Sequence, residues 1–427
     1  MASKKHGAKQ PENSNAVQHA PAREAKAGTP PDKVDIGVLH GLRALFVLFV
    51  CNFHIWQQGW LGQYATVLGV RLDFDFWTRA SYVFVDGMIL MSGFLLYLPH
   101  ARRAVYQTPV PATGRFYVSR ITRIVPSYLA SVLIMLFCVA LPKGSYRDGA
   151  AMGLDIVTHL TFTFTFFRET YVYTPLNVVL WTVAIEMQFY LIFPLLARAM
   201  RKAPAVTLCL MGAAGIVFRV VLAASVPDLM VLINQLPAFL DVYALGMLGA
   251  IVYVRLDRRL AAAKRGEPLR LWVRAGAVLL FAAGVYALQL ILRIQSTNGL
   301  ISHEQLRLSQ WATRLPLAGT FLVLILSAAF LPRVLQKPLD NRLMRFLATI
   351  SFNLYIWHQA LSVLISRGLY PQTLHSDLML QQSFTLLCYS LSIVVAMAAT
   401  WGVEKPAACA LERLYQKHIA HKGADKP

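Results

Sequence analysis

Ten stretches of the chain are dominated by apolar side chains: 36–56, 80–98, 121–141, 176–198, 204–224, 230–255, 271–293, 314–332, 344–366 and 380–403. A helix needs about 20 such residues to cross the hydrocarbon core of a bilayer. The pattern predicts an all-α polytopic membrane protein with about ten transmembrane helices. One further stretch, 150–168, is ambiguous, because Asp155, His159 and several threonines interrupt its phenylalanines.

The charges between the runs set the orientation. The segment before the first run carries Lys4, Lys5, Lys9, Lys26 and Lys33. The loops 99–120, 199–203, 256–270 and 333–343 are rich in arginine and lysine, whereas 57–79, 142–175, 225–229, 294–313 and 367–379 are nearly balanced in sign. Basic and balanced loops alternate only if 150–168 does not cross, so that segment is expected to be re-entrant or interfacial on the outer side. Both termini are then cytoplasmic. The expected organisation is a disordered cytoplasmic tail over 1–34, a membrane domain over 35–406 and a cytoplasmic tail over 407–427. The polar, Lys/Pro-rich start offers no cleavable signal peptide.

Composition agrees with lipid as the main solvent. The 427 residues are 56% hydrophobic and only 15% charged, against about 25% charged in soluble domains. The net charge of +20 would suggest nucleic acid on a soluble protein. Here the positives sit in short loops, which is topology signal, so no nucleic-acid partner is expected. Cys51, Cys138, Cys209, Cys388 and Cys409 are scattered without a CxxC or a histidine at ligand spacing. They are expected to be small buried hydrophobes, with no metal site.

Candidate chemistry lies inside the apolar runs. Arg43 and His54 share the first run, eleven residues apart. That is about three helical turns, so both point from one face, about 16 Å apart along the axis. A charge at the bilayer centre costs at least about 2.5 kcal/mol on insertion scales, so Arg43 should face the bundle interior. An anion anchor and a general base in one lumen are expected. Glu186 lies mid-run after Trp181 and could pair with Arg43 or orient His54. Asp86, followed by Ser92 and Gly93, is a second intramembrane acid. Arg120 and Arg123 share a helix face at the cytoplasmic surface. With Arg102, Arg103 and Arg115 they form a guanidinium cluster suited to phosphates or to anionic lipid. His358 is a further candidate, for which a hydrogen-bonded core position is the simpler account.

Several of these segments, in order, resemble acyltransferase family 3, the membrane O-acyltransferases of surface polysaccharides and related acceptors. Gly41–Leu42–Arg43 through His54 is similar to the family's Arg-x10-His element. Val85–Asp86 through Ser92–Gly93–Phe94 is similar to its second-span signature, and Arg120-x-x-Arg123-x-x-Pro126 to its arginine pair. Trp181 through Glu186, with Phe189–Tyr190 and Pro194, is similar to its Trp-x4-Glu block. Ser351 through His358 and Glu404–Lys405–Pro406 are similar to its closing elements. His40 and Met88–Ile89 depart from the usual residues.

The resemblance implies transfer of an acyl group, usually acetyl, from acetyl-CoA or another acyl-CoA to a carbohydrate or lipid-linked glycan hydroxyl at the cell (inner) membrane. It implies His54, Arg43 and Glu186 as the catalytic group, and Arg120, Arg123 and Arg115 as the donor-binding group. Asp86, Ser92, His358 and Trp181 are further candidates. No permanently bound cofactor is expected, and membrane lipid is the standing partner. The competing class is a proton-coupled transporter or flippase using Arg43, His54 and Glu186 as a relay. The absence of inverted sequence repeats weighs against it.

Overall fold

The computed structural model describes residues 35–62, 64–67, 70–225, 231–264 and 266–424. The tail expected over 1–34 lies outside them. The fold is all-α, as the apolar pattern predicts. One departure is an antiparallel hairpin, Tyr64–Val67 with Val70–Asp73, after the first helix. The longer helices are α1 (Gly37–Gly59), α2 (Phe84–Tyr106), α3 (Thr113–Met135), α4 (Gly149–Leu160), α5 (Trp181–Lys202) and α6 (Pro204–Ser225). They continue with α7 (Leu240–Ala262), α8 (Pro268–Ile301), α9 (His303–Phe330), α10 (Arg342–Leu369), α11 (Leu378–Ala399) and α12 (Lys405–Ala424).

Among the described residues, nine helical stretches are long and apolar enough to cross a membrane. They coincide with nine of the ten expected spans. The exception is α10, which has 28 residues but buries Ser351, Asn353, His358 and Ser362. Ser351, His358 and Ser362 bond to carbonyls of α10 itself, and cross-helix bonds to neighbouring elements tie the helix into the bundle. Asn353 Nδ2 donates to Thr400 Oγ1 at 2.9 Å and to Glu404 at 2.7 Å. The Thr182 hydroxyl donates to that of Tyr355 at 2.9 Å, and Asn177 Nδ2 to the Ile356 carbonyl at 2.7 Å. Such cross-helix bonds let a polar helix sit inside a membrane bundle.

Direction follows from pairings at the two ends. Arg345, near the start of α10, pairs with Asp35 at 2.6 Å, just before α1. That bond holds the Asp35 carboxyl below its ordinary range. Further along, the His54 and His358 rings lie 5.1 Å apart. Hence α10 runs parallel to α1. The chain returns through α11, where the Tyr389 hydroxyl donates to Asn52 Oδ1 at 3.1 Å. The chain then continues as α12, which packs beside the start of α3 through Arg115 and Glu412. The start of α1 and the end of α11 therefore lie at one end of the bundle, called here the basic end.

The segment 150–168 dips into the bundle and comes back. Asp148 caps α4, its carboxylate accepting from Ala151 N at 2.8 Å. The helix follows α3 until the Tyr128 hydroxyl donates to the His159 carbonyl at 2.8 Å. Gln188 of α5 then donates to the Phe162 carbonyl at 2.9 Å. Both partners lie well inside their own helices, and the chain climbs back to begin α5 at Trp181. Of the two expected geometries, this path is the re-entrant one.

Outward faces are apolar. Trp272 and Leu279 are each 72% exposed, a surface that lipid covers and water would not tolerate. The cysteines divide: Cys51 and Cys388 are buried, whereas Cys138, Cys209 and Cys409 are exposed. Burial was expected for all five. An apolar residue on a spanning helix can equally face lipid, which hydropathy does not distinguish.

α2 and α7 pack backbone against backbone. Gly246 meets the Leu90 carbonyl, and Gly93 meets the Tyr243 backbone, so neither position has room for a side chain. Replacing Gly246 by Leu should cost about 1–3 kcal/mol, as overpacked cores do. A lower unfolding temperature of the purified protein checks this. Unchanged stability would mean that the two helices can separate freely.

Candidate active site

Two cavities open along α1, one below the other. The inner one, of about 220 Å³, is lined by Arg43, Ser92, Arg120, Arg123, Glu186 and Tyr190, among others. Three guanidiniums therefore share it with one carboxylate, giving a positive interior. Arg120 and Arg123 are brought there by their three-residue spacing on α3, and Glu186 by α5. Arg120 Nε is buried without a hydrogen-bond partner among the described residues, as expected of a group that awaits a ligand.

The outer cavity, of about 480 Å³, is lined by His54, Gln57, Asp86, Trp181, Gln295 and Arg314, among others. His54 Nδ1 lies 2.9 Å from Gln57 Oε1. With that oxygen as acceptor, Nδ1 carries the proton and Nε2 keeps its lone pair. His358 packs beside it, fully buried. Its Nδ1 donates to the Tyr355 carbonyl at 2.7 Å, and its Nε2 has no partner among the described residues. The rest of the wall mixes rings with amides and hydroxyls. The Tyr82 hydroxyl donates to Gln295 Oε1 at 2.8 Å, and Gln295 Nε2 reaches the Thr313 hydroxyl at 3.1 Å.

The structure sorts the expected site residues into these two places. Arg43 and His54 share a face of α1, but they do not share a lumen as expected. Between them Val47 lines the inner cavity, and Val50 and Cys51 are fully buried. One layer of packed core separates the chambers, with consecutive residues Trp181 and Thr182 lining the outer and the inner cavity. Glu186 sits with Arg43, Arg120 and Arg123, and Gln57 takes the place beside His54 that sequence reasoning offered to Glu186. Ser92 joins the inner group; Trp181 and Asp86 join the outer one. Arg115 does neither: it is exposed, pairs with Glu412 and lies under the Tyr415 ring, 5.9 Å from its centroid.

Several site residues escaped sequence reasoning. Asp86 Oδ1 is held by Arg314 Nε at 3.0 Å. Arg314 also donates to the Ile233 carbonyl at 3.1 Å and lies 4.0 Å from the Phe239 ring centroid. Deeper still, Arg219 makes a two-pronged pair with Asp241, at 2.8 and 2.6 Å. Both arginines fall in or at the edge of apolar runs, where an isolated charge is itself the signal. Gln57 and Gln295 carry no such signal.

Fold and site together define a polytopic membrane protein with an arginine-lined chamber behind a histidine-bearing one. Comparison with known proteins identifies the class. The acyltransferase domain of acyltransferase family 3 matches residues 36–401, and the chain belongs to that family. A relative, acyltransferase MdmB of Streptomyces mycarofaciens, is 30% identical over 181 residues. That alignment covers 41% of this chain and 42% of the relative. No solved structure matches the chain.

Removing one partner of the Asp86–Arg314 pair leaves a buried charge alone, which costs about 3–5 kcal/mol. Asp86→Leu should therefore lower the unfolding temperature sharply, and Asp86→Leu with Arg314→Met should recover most of it. A single variant as stable as the wild type would show that the pair is not structural.

Proposed function

We propose that the protein transfers an acyl group, acetyl in the simplest case, from a coenzyme A thioester to a hydroxyl of a carbohydrate-type acceptor. The basic end is the cytoplasmic one, because that end collects the loop arginines. The donor enters there, and the acceptor comes to the outer cavity from the opposite side of the inner membrane or on a lipid carrier. The observation that carries the proposal is the vertical pairing on α1. A positive chamber suited to phosphates lies about 16 Å, by helical rise, from an imidazole with a free Nε2. A phosphopantetheine arm has a similar extended length.

The chemistry assigns a task to each group. A hydroxyl is a weak nucleophile at neutral pH without an adjacent base. His54 Nε2 takes the hydroxyl proton while the oxygen attacks the thioester carbonyl; the carbon–sulfur bond then breaks, and the thiolate recovers the proton. Gln57 holds the imidazole in the tautomer this requires. Arg43, Arg120 and Arg123 hold the anionic donor, and Glu186 offsets part of their mutual repulsion. In the rival route His54 itself accepts the acyl group and passes it to the acceptor. Family membership removes the main ground for a transporter.

Loss of a general base costs about 10²–10⁴-fold in rate. His54→Ala should lower acyl transfer by that factor while expression and thermal stability stay unchanged. A variant that still transfers at half the wild-type rate would overturn the assignment. Brief exposure to radiolabelled acetyl-coenzyme A separates the two routes, since only the acyl-enzyme route leaves label on wild-type protein and none on His54→Ala. Arg120→Ala with Arg123→Ala should raise the donor KM far more than it lowers kcat. An unchanged KM would remove the pair from donor binding.

A further inference from the structure

The inner chamber is not the end of the path toward the basic end. Leu95, Leu96 and Arg120 line both it and a second cavity of about 320 Å³. His100 and Arg201 in turn line both that cavity and a third, of about 820 Å³. The three adjoin one another through these shared walls and form a vestibule along the last turns of α2. Arg103, Arg201, Arg255, Arg258 and Arg259 line its outermost part, drawn from the ends of α2, α5 and α7. Among the described residues, no carboxylate lines either vestibule cavity, and none of these five arginines forms an ion pair. His100, at the junction, has a buried Nδ1 with no hydrogen-bond partner among the described residues. Charges that only set orientation would need no common cavity. These converge on one from three separate helix ends.

We infer that this arginine vestibule binds the 3′-phosphorylated nucleotide end of the donor and makes the protein selective for it. The inference rests on the acyl-transfer proposal and extends it to residues beyond the Arg120–Arg123 pair. A coenzyme A thioester carries a diphosphate and, beyond it, a separate ribose 3′-phosphate. With the diphosphate at Arg120 and Arg123, the ribose phosphate must lie further toward the basic end. Leu95, shared with the inner chamber, and Arg103 are eight residues apart on α2, about 12 Å by helical rise, which is the scale of a nucleoside monophosphate. Guanidinium forks suit a phosphate that carries two negative charges.

The same chemistry would hold the phosphate of an anionic lipid, and the test separates the two sources. Binding of coenzyme A and of 3′-dephospho-coenzyme A is measured by calorimetry on protein in nanodiscs made only of phosphatidylcholine. The wild type should bind coenzyme A at least tenfold more tightly than the dephospho form. Arg258→Ala with Arg259→Ala should abolish that preference while binding the dephospho form as the wild type does, which also shows that the variant is folded. A wild type that binds both forms equally, or a variant that keeps the full preference, overturns the vestibule assignment alone. So does a variant whose only loss is phosphatidylglycerol retained through purification, read by native mass spectrometry; that result would assign the arginines to lipid. A wild type that binds neither form overturns the acyl-coenzyme A proposal together with this one.

Discussion

Every ionised group inside this bundle must find either a partner or a cavity, because a bilayer offers neither water nor counterions. That constraint sorts the buried charges into two kinds. Arg219 is spent on Asp241 and Arg314 on Asp86, each charge paired with its opposite. Arg43, Arg120 and Arg123 outnumber the one carboxylate in their chamber. The first kind fastens α6 to α7 and α2 to α9. The second leaves a positive hole, and a positive hole in a membrane protein implies an anion that comes and goes.

The two-chamber layout follows from how α1 is packed. Its glycines and alanine let neighbours approach closely; Gly41 touches the Leu339 backbone and Gly59 the Phe384 ring. α2 and α10 press on the same helix from other sides, Phe46 against Phe84 and His54 against His358. Core side chains therefore fill the middle of the face that Arg43 and His54 share. A long flexible arm could pass such a layer where a bulky nucleotide could not. The division between a positive chamber and an imidazole-bearing one is thus built into one helix.

Much of this was legible before any coordinates. Apolar length located the spans, and charge alternation placed 150–168 on one side. Helical phase put Arg43 and His54 on one face. Three things were not legible, each for a physical reason. Phase along one helix says nothing of what neighbouring helices insert between two residues, so the single lumen became two cavities. Charge alone does not say which carboxylate meets which base; Glu186, open to either Arg43 or His54 from the sequence, shares the inner chamber with Arg43. Arg314 and Arg219 stand as isolated charges in apolar runs, but the sequence does not say which acids complete them: Asp86, far along the chain, and Asp241, on the next helix.

The central claim is that an acyl group from a donor at the basic end reaches a hydroxyl on the other side of the membrane through His54. Sealed vesicles of known orientation, prepared from cells that express the protein, test it most directly. Radiolabelled acetyl-coenzyme A added outside inside-out vesicles should label carbohydrate material enclosed within them. Right-side-out vesicles and vesicles carrying His54→Ala should stay unlabelled. Equal labelling in both orientations, or labelling that survives His54→Ala, would contradict the account.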